Sequence, residues 1–371
     1  MGIGKAAEFF AGIGLVRLAT EQAGWKTVFA NDINANKQEM YVANFGNAEF
    51  KLDDIGTLTA VDIPEVSLAT ASFPCIDLSL AGNREGLKGE HSSTYWEFHR
   101  ILRDLKGRRP QFILLENVIG LLSSHGGQDL REIVASLSKL DYACDLLLVD
   151  AVHFLPQSRP RLFLIGFRGM DGDPVRDVEI HSARPEAIVN FMRANDDLRW
   201  LFTEVPELPS KQKNLPAYAE RISDESPDWW DRNRRDHLWR QMSSSHKEVL
   251  KYLLDGSRPK FATVYKRVRP SGCRAEVRAD GIAGCLRTPR GGSSKQFIIQ
   301  AQGGDWRVRN MTAREYARLQ GAPDYKITVP YTQALFGFGD AVCVPAVEWV
   351  IRNTINAAVP TAAHDYAAAS T

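Results

Sequence analysis

The sequence predicts an α/β protein with a second, smaller domain, and three observations carry that reading. Strand-like and helix-like segments alternate through the first 168 residues, a glycine-containing turn joins the first strand to the first helix, and the alternation stops near Gly169. Such alternation implies a mostly parallel sheet covered by helices on both faces, with ligands beyond the carboxyl ends of the strands.

Taken in order, "AAEFF" reads as a strand, "LVRLATEQAG" as an amphipathic helix stopped by Gly24, "KTVFAND" as a second strand and "INANKQEMYVANFG" as a helix ending at Gly46. Further strands are expected in "VSLATASF", "QFILLENV", "ACDLLLV" and "RLFLIGF", with helices over Tyr95 to Leu105 and Leu130 to Leu140. From residue 169 to 310 the chain is richer in Pro, Trp and Arg, without clear alternation, and reads as the second domain. Residues 311–371 return to the first domain through "MTAREYARLQGAP" and a long helix in "FGDAVCVPAVEWVIRNTINAAV", ending in a frayed tail.

The 371-residue chain has length enough for two domains. No apolar run reaches the roughly eighteen residues of a membrane span, and "MGIGKAAEFF" lacks a signal-peptide pattern, so a cytoplasmic protein without membrane contact is expected. Five scattered cysteines without CxxC spacing argue against a disulfide framework and against a metal site. The formal net charge of +1 hides an asymmetry: residues 258–309 hold 12 Lys and Arg against 3 Asp and Glu, a local +9 that leaves −8 for the remainder. A basic segment on an acidic scaffold suits a polyanionic partner.

In "FFAGIGL", Gly12 and Gly14 allow a tight turn that brings backbone amides to a ligand, and Asp32 ends the second strand where a carboxylate can accept ribose hydroxyls. Arg17 occupies the place where a pyrophosphate binder needs Gly or Ala, so a nucleoside cofactor without pyrophosphate fits better than a dinucleotide. Cys75 follows Pro74 just beyond a strand end, on the same edge. A nucleophilic thiol needs access and nearby positive charge. Glu116 and Asn117 leave another apolar strand, placing a poorly solvated carboxyl where a proton donor is useful. Gln157, Arg159 and Arg161 precede a further strand, the two arginines on one side of an extended chain.

Together "FFAGIGL", "SFPCIDLS", "LLENV", "QSRPR", "REYARLQGAP" and "FGDAV" resemble, in order, the signature blocks of the cytosine-C5 DNA methyltransferases. The resemblance implies a Rossmann-like S-adenosylmethionine-dependent methyltransferase sheet with a target recognition domain over residues 169–310. It implies Cys75 as the nucleophile adding at C6 of a cytosine flipped from double-stranded DNA, and Glu116 as the acid at N3. Arg159 and Arg161 would brace the base and the cysteine loop. Phe10, Ala11, Gly12, Ile13 and Gly14 would form the S-adenosylmethionine pocket. Asp32 and Ile33 would lie at the ribose and adenine, Asp54 and Ile55 at the adenine amine, and Pro74, Asp340 and Ala341 would complete the pocket. Arg314, Arg318 and Gln320 match the block that organises the recognition domain.

The candidates for DNA contact are Ser79, Gln157, Arg267, Arg269, Arg287, Arg290 and Lys295, while Trp229, Trp230 and Trp239 read as core. Leu15, Ile33 and Asp340 depart from the family pattern, where Gly, an aromatic residue and Asn are usual. A negative charge at Asp340, near the cofactor's carboxylate, calls for a partner or a proton. Stand-alone prokaryotic enzymes begin their blocks equally early, and a monomer without an obligate protein partner is expected. A dinucleotide oxidoreductase, a catalytically silent DNA-binding regulator and an RNA methyltransferase remain as alternatives. Arg17 opposes the first, and intact Cys75, Glu116 and Arg161 the second. The long basic segment opposes the third.

Overall fold

The structure, a computed structural model, describes residues 2–74, 94–269, 272–289 and 294–359, with Arg269 described by its backbone alone. Seven strands form the larger sheet: β1 (Lys5–Phe9), β2 (Lys26–Asp32), β3 (Phe50–Leu52), β4 (Leu68–Ala71), β5 (Phe112–Val118), β6 (Tyr142–Asp150) and β7 (Pro160–Arg168), in the order β3-β2-β1-β4-β5-β7-β6. All pairs are parallel except those of β7, which runs against both neighbours. The connection 151–159 is too short for a crossover helix, so β7 must return antiparallel beside β6.

Both faces of this sheet are covered, which explains the near-continuous apolar run of β5. Phe112 and Leu114 meet α1 (Leu15–Gln22) and the C-terminal helices, whereas Ile113 and Leu115 meet α3 (Thr94–Leu105), α4 (Gln128–Ser138) and α5 (Glu186–Arg193). Beyond β2, α2 (Ala35–Phe45) is capped by the Asn34 side chain, which accepts the Lys37 amide.

Residues beyond Gly169 do not leave the large sheet at once. Val178, Ile188, Val189, Met192 and Trp200 remain in its core, and buried Arg184 pairs with Asp145 of β6 at 2.5 Å. A separate core begins only with Leu238. There a four-stranded antiparallel sheet, β8 (Lys260–Arg269), β9 (Gly272–Arg278), β10 (Gln296–Gln302) and β11 (Asp305–Asn310), lies in the order β11-β10-β8-β9. It packs against α6 (Arg232–Gln241) and α7 (Ser244–Leu254). This regular structure corrects the irregular reading of the segment. One face carries this core, while the other mixes Arg267, Arg274 and Arg278 with Phe261 and Ile298, which pack on the large core, and this mixture interrupts the pattern. Trp230 and Trp239 pack on this core, in keeping with their reading.

After α8 (Ala313–Leu319), the expected long C-terminal helix is three: α9 (Tyr331–Asp340), α10 (Val344–Asn353) and α11 (Ile355–Ala358). Pro345 in the first turn of α10 starts a new helix instead of continuing the old one. The most apolar 18-residue window within Tyr331–Ala358 has a mean hydropathy of 1.6 and so reaches the composition of a membrane span, contrary to the expectation, although three helices share the stretch. Its apolar residues, among them Leu335, Phe338, Val347, Val350 and Ile351, are buried in the core beside α1.

Candidate active site

The carboxyl ends of β1, β2 and β4 meet around the glycine turn. Phe10 and Gly12 take left-handed conformations (φ 56° and 57°), and Gly14 follows at φ 80°. A Cβ on Gly14 would lie 2.5 Å from a ring carbon of Phe45, whereas one on Gly12 would meet nothing nearer than 4.0 Å. Gly14 therefore serves packing and Gly12 faces open space. Asp32 receives the Gly12 amide at 2.8 Å and the Asn34 amide at 2.9 Å, which fixes its carboxylate beside the turn. Asn31 donates to the carbonyls of Lys51 and Asp53, tying the end of β2 to Asp54, whose carboxylate caps the turn at Gly56. Ile33 is 67% exposed and Leu52 41%, apolar surfaces suited to a base, while Ile55 is buried beneath. This open cradle with its carboxylates fits a nucleoside cofactor.

Arg17 fills the space that a dinucleotide-type Gly would leave. Its guanidinium reaches the Tyr41 hydroxyl at 3.0 Å and Glu21 at 2.9 Å, and lies over the Phe45 ring. Its amide donates to buried Glu8, whose other carboxylate oxygen has no partner. Burial pushes the Glu8 carboxyl up to about 8, against the opposing pull of Arg17.

Beside it, β4 and β5 run parallel with Ala71 opposite Leu115, so the chain leaving β4 toward Cys75 and the chain carrying Glu116 reach one edge. Cys75 and Ser79 lie outside the described residues, as does Arg290. Asn117 is buried and donates to the carbonyl of Phe73 at 3.3 Å, anchoring the entry to the cysteine segment next to half-buried Pro74. Arg161, across from Val118 in the β5–β7 ladder, places Nε 2.9 Å from Glu116 Oε1. The carboxyl expected to be poorly solvated thus has a compensating cation.

Arg159 departs from the expectation that it braces the base. It is 3% exposed, and its guanidinium donates to the carbonyls of Leu286 (2.7 Å), Gly339 (3.2 Å) and Ala341 (2.6 Å). It therefore joins the segment around Leu286 to the C-terminal end of α9, where helix carbonyls favour a cation. Gln157 is corrected as a DNA contact: it is fully buried, donates to the Leu319 carbonyl at 2.6 Å and accepts the Leu286 amide. Gln320 caps α9 further through the Phe338 carbonyl, 2.7 Å away. These bonds hold Asp340 and Ala341 in place, and Lys37 from α2 meets Asp340 at 2.8 Å. The charge at Asp340 thus has the partner it called for.

Of the DNA candidates, Arg287 is exposed, and Arg267 is exposed while lying 3.3 Å from Glu276. Half-buried Lys295 sits over the Tyr331 ring, and the Arg269 side chain lies outside the described residues. Sequence reasoning missed Lys37, Glu8 and Cys285. Only Glu8 carried a signal, an acid inside an apolar strand. Burial alone would raise the Cys285 thiol pKa, yet Arg159, Arg161 and Arg287 outweigh it and hold it below the ordinary value.

The family model described as C-5 cytosine-specific DNA methylase matches residues 4–356 of the chain. The chain is 30% identical over 354 residues to the Type II methyltransferase M.DsaV of Dactylococcopsis salina, covering 95% of this chain and 86% of that protein. It is 37% identical over 345 residues to M.BsuFI of Bacillus subtilis, covering 92% and 70%. Among solved structures, the S. pombe Dnmt2 methyltransferase superposes with a TM-score of 0.61 at 20% identity, over 94% of this chain and 97% of that one, a likeness of fold.

Proposed function

Because the chain belongs to the C-5 cytosine-specific DNA methylase family, we propose that it flips a cytosine out of double-stranded DNA and methylates C5 through a transient bond between Cys75 and C6. The carrying observation is the Glu116–Arg161 pair at the end of β5, beside the strand that leads to Cys75. Addition of the thiolate at C6, with Glu116 protonating or hydrogen-bonding N3, turns C5 into an enamine carbon able to take a methyl group. Loss of the C5 proton and expulsion of the thiolate then restore the ring, so one hard step becomes several easier ones. Arg161 orients Glu116, and Asn117 holds the backbone that enters the cysteine segment.

S-adenosylmethionine, when bound, supplies the methyl group as an activated sulfonium. Asp32, Ile33, Asp54 and Ile55 would hold its nucleoside, with Phe10 to Gly14, Pro74, Asp340 and Ala341 around the methionine half. Flipping costs a few kcal/mol of stacking and pairing, which phosphate contacts from Arg267, Arg287, Lys295 and their neighbours offset. The enzyme would work in the cytoplasm, on chromosomal DNA. The relatives are named Type II methyltransferases, which favours a modification enzyme of the restriction-modification kind.

Bisulfite sequencing of DNA from cells expressing the chain tests activity and target together. Wild type should leave methylated cytosines at a defined sequence and be trapped covalently on a duplex with 5-fluorocytosine at that position. Methylation that persists unchanged in Cys75→Ser would overturn the assigned nucleophile.

A further inference from the structure

We propose that Lys37 and Asp340 together read the zwitterionic amino-acid end of the methyl donor and of its demethylated product, Lys37 taking the carboxylate and Asp340 the ammonium. The proposal rests on the cofactor reading above and adds a specificity-determining pair to it.

Three observations place the pair at that end of the cleft. Lys37 stands in the first turn of α2 and Asp340 closes α9, with Nζ 2.8 Å from Oδ2. Both helices close on the glycine turn. A Cβ on Gly337 would come within 2.8 Å of Ile13 Cγ2 and 3.3 Å of Met40 Sδ. Gly337 precedes Asp340 by one helical turn and Lys37 precedes Met40 by one, so each charge lies on the helix face that meets Ile13. The Tyr325 hydroxyl bonds the carbonyls of both Ile13 (2.5 Å) and Met40 (3.0 Å), fixing α2 to the turn. By contrast, the groups offered to a base and ribose, Asp32, Ile33, Leu52 and Asp54, follow β2 and β3.

The chemistry matches. A lone carboxylate at residue 340 would repel the donor's own carboxylate, and an Asn there carries no charge. An adjacent ammonium and carboxylate present the complement of an amino acid. The pair is partly exposed, so it adds little to folding and can exchange partners when a ligand arrives. Arg159 and Gln320 keep the backbone around Asp340 fixed meanwhile.

Calorimetric titration of the full chain with S-adenosylhomocysteine and with 5′-methylthioadenosine, which lacks the amino-acid end, separates the possibilities. Wild type should bind both and prefer the first. Lys37→Gln should lose roughly tenfold in affinity for S-adenosylhomocysteine and none for 5′-methylthioadenosine, and Asp340→Asn should narrow the same gap. Equal losses for both ligands, or unchanged affinity in both variants, would overturn the pair's role while leaving the cofactor reading intact. Wild type that binds neither ligand would overturn both.

Discussion

In the seven-stranded sheet, Arg159 and the Asp145–Arg184 pair are buried among fixed partners, each charge with a single geometry. In the four-stranded sheet and in the connection between β9 and β10, Arg267 and Arg287 stand in solvent, and among the described residues Arg267 meets Glu276 and the Tyr265 hydroxyl. The first arrangement holds a site rigid at the expense of desolvated charge. The second keeps cations available to a partner that arrives and leaves. Glu116 and Arg161 are intermediate: paired and partly buried, yet open enough at the strand ends to meet a base.

The sharpest test of that intermediate position is Glu116→Gln. Removing a positioned proton donor should lower kcat by about 10²–10⁴-fold, while the melting temperature stays close to wild type, since the amide keeps the shape. Single-turnover methylation on a fixed duplex together with thermal unfolding would check this. A melting loss that accounts for the lost activity would make Glu116 a member of the rigid class.

Glu8 belongs to the buried class, and its effect depends on pH. Its carboxyl rises from the ordinary 4.5 to about 8, chiefly through burial. The folded state therefore binds this proton more tightly than the unfolded chain. The stability it contributes is fully present below about pH 4.5 and is lost as pH rises through 8, at up to about 1.4 kcal/mol per pH unit. Glu8→Gln removes that dependence, so melting curves from pH 5 to 8.5 should fall less steeply for the variant. Parallel curves would show that Glu8 stays charged, balanced by Arg17.

For Arg159 the expected change is in stability, with no dependence on salt. Arg159→Ala leaves the carbonyls of Leu286, Gly339 and Ala341 without their donor and should destabilise by about 3 kcal/mol or more in denaturant. Arg159→Lys should not rescue, because an ammonium cannot span three acceptors with a fork's geometry.

These two arginine positions also mark what was legible in the sequence. Glu116 could be placed because strand alternation puts the carboxyl end of each parallel strand at the ligand edge, whereas Arg161 opens β7 and reaches that edge only because β7 runs antiparallel, which the alternation does not foretell. Arg159 and Gln157 sit in the same block, yet their burial depends on α8 and α9, which come from far along the chain, and nothing local distinguishes a covered residue from an exposed one. The Lys37–Asp340 pair was hidden for the same reason. The strands β8 to β11 were hidden differently: their cations fall on both faces and range from exposed Arg267 to buried Arg309, so the apolar alternation was broken up and read as irregular. The first boundary was set at Gly169 because composition changes there, although Val178 to Trp200 still serve the large core.

The smallest effect is expected from the exposed arginines, and it separates the two regions most cleanly. Each Arg that neutralises a phosphate releases condensed counterions, so log K for duplex DNA falls linearly with log salt, with a slope of about −0.9 per contact. Arg287→Ala and Arg267→Ala should each weaken binding modestly, make that slope shallower by about one, and leave the melting temperature unchanged. For Arg267 part of the loss is offset in advance, because binding a phosphate means giving up Glu276. Arg287 should therefore show the larger change, read by fluorescence anisotropy across a salt series. A melting loss for either variant as large as that of Arg159→Ala, or an unchanged salt slope in both, would mean that these cations belong to the scaffold, and the contrast between the two sheets would fail.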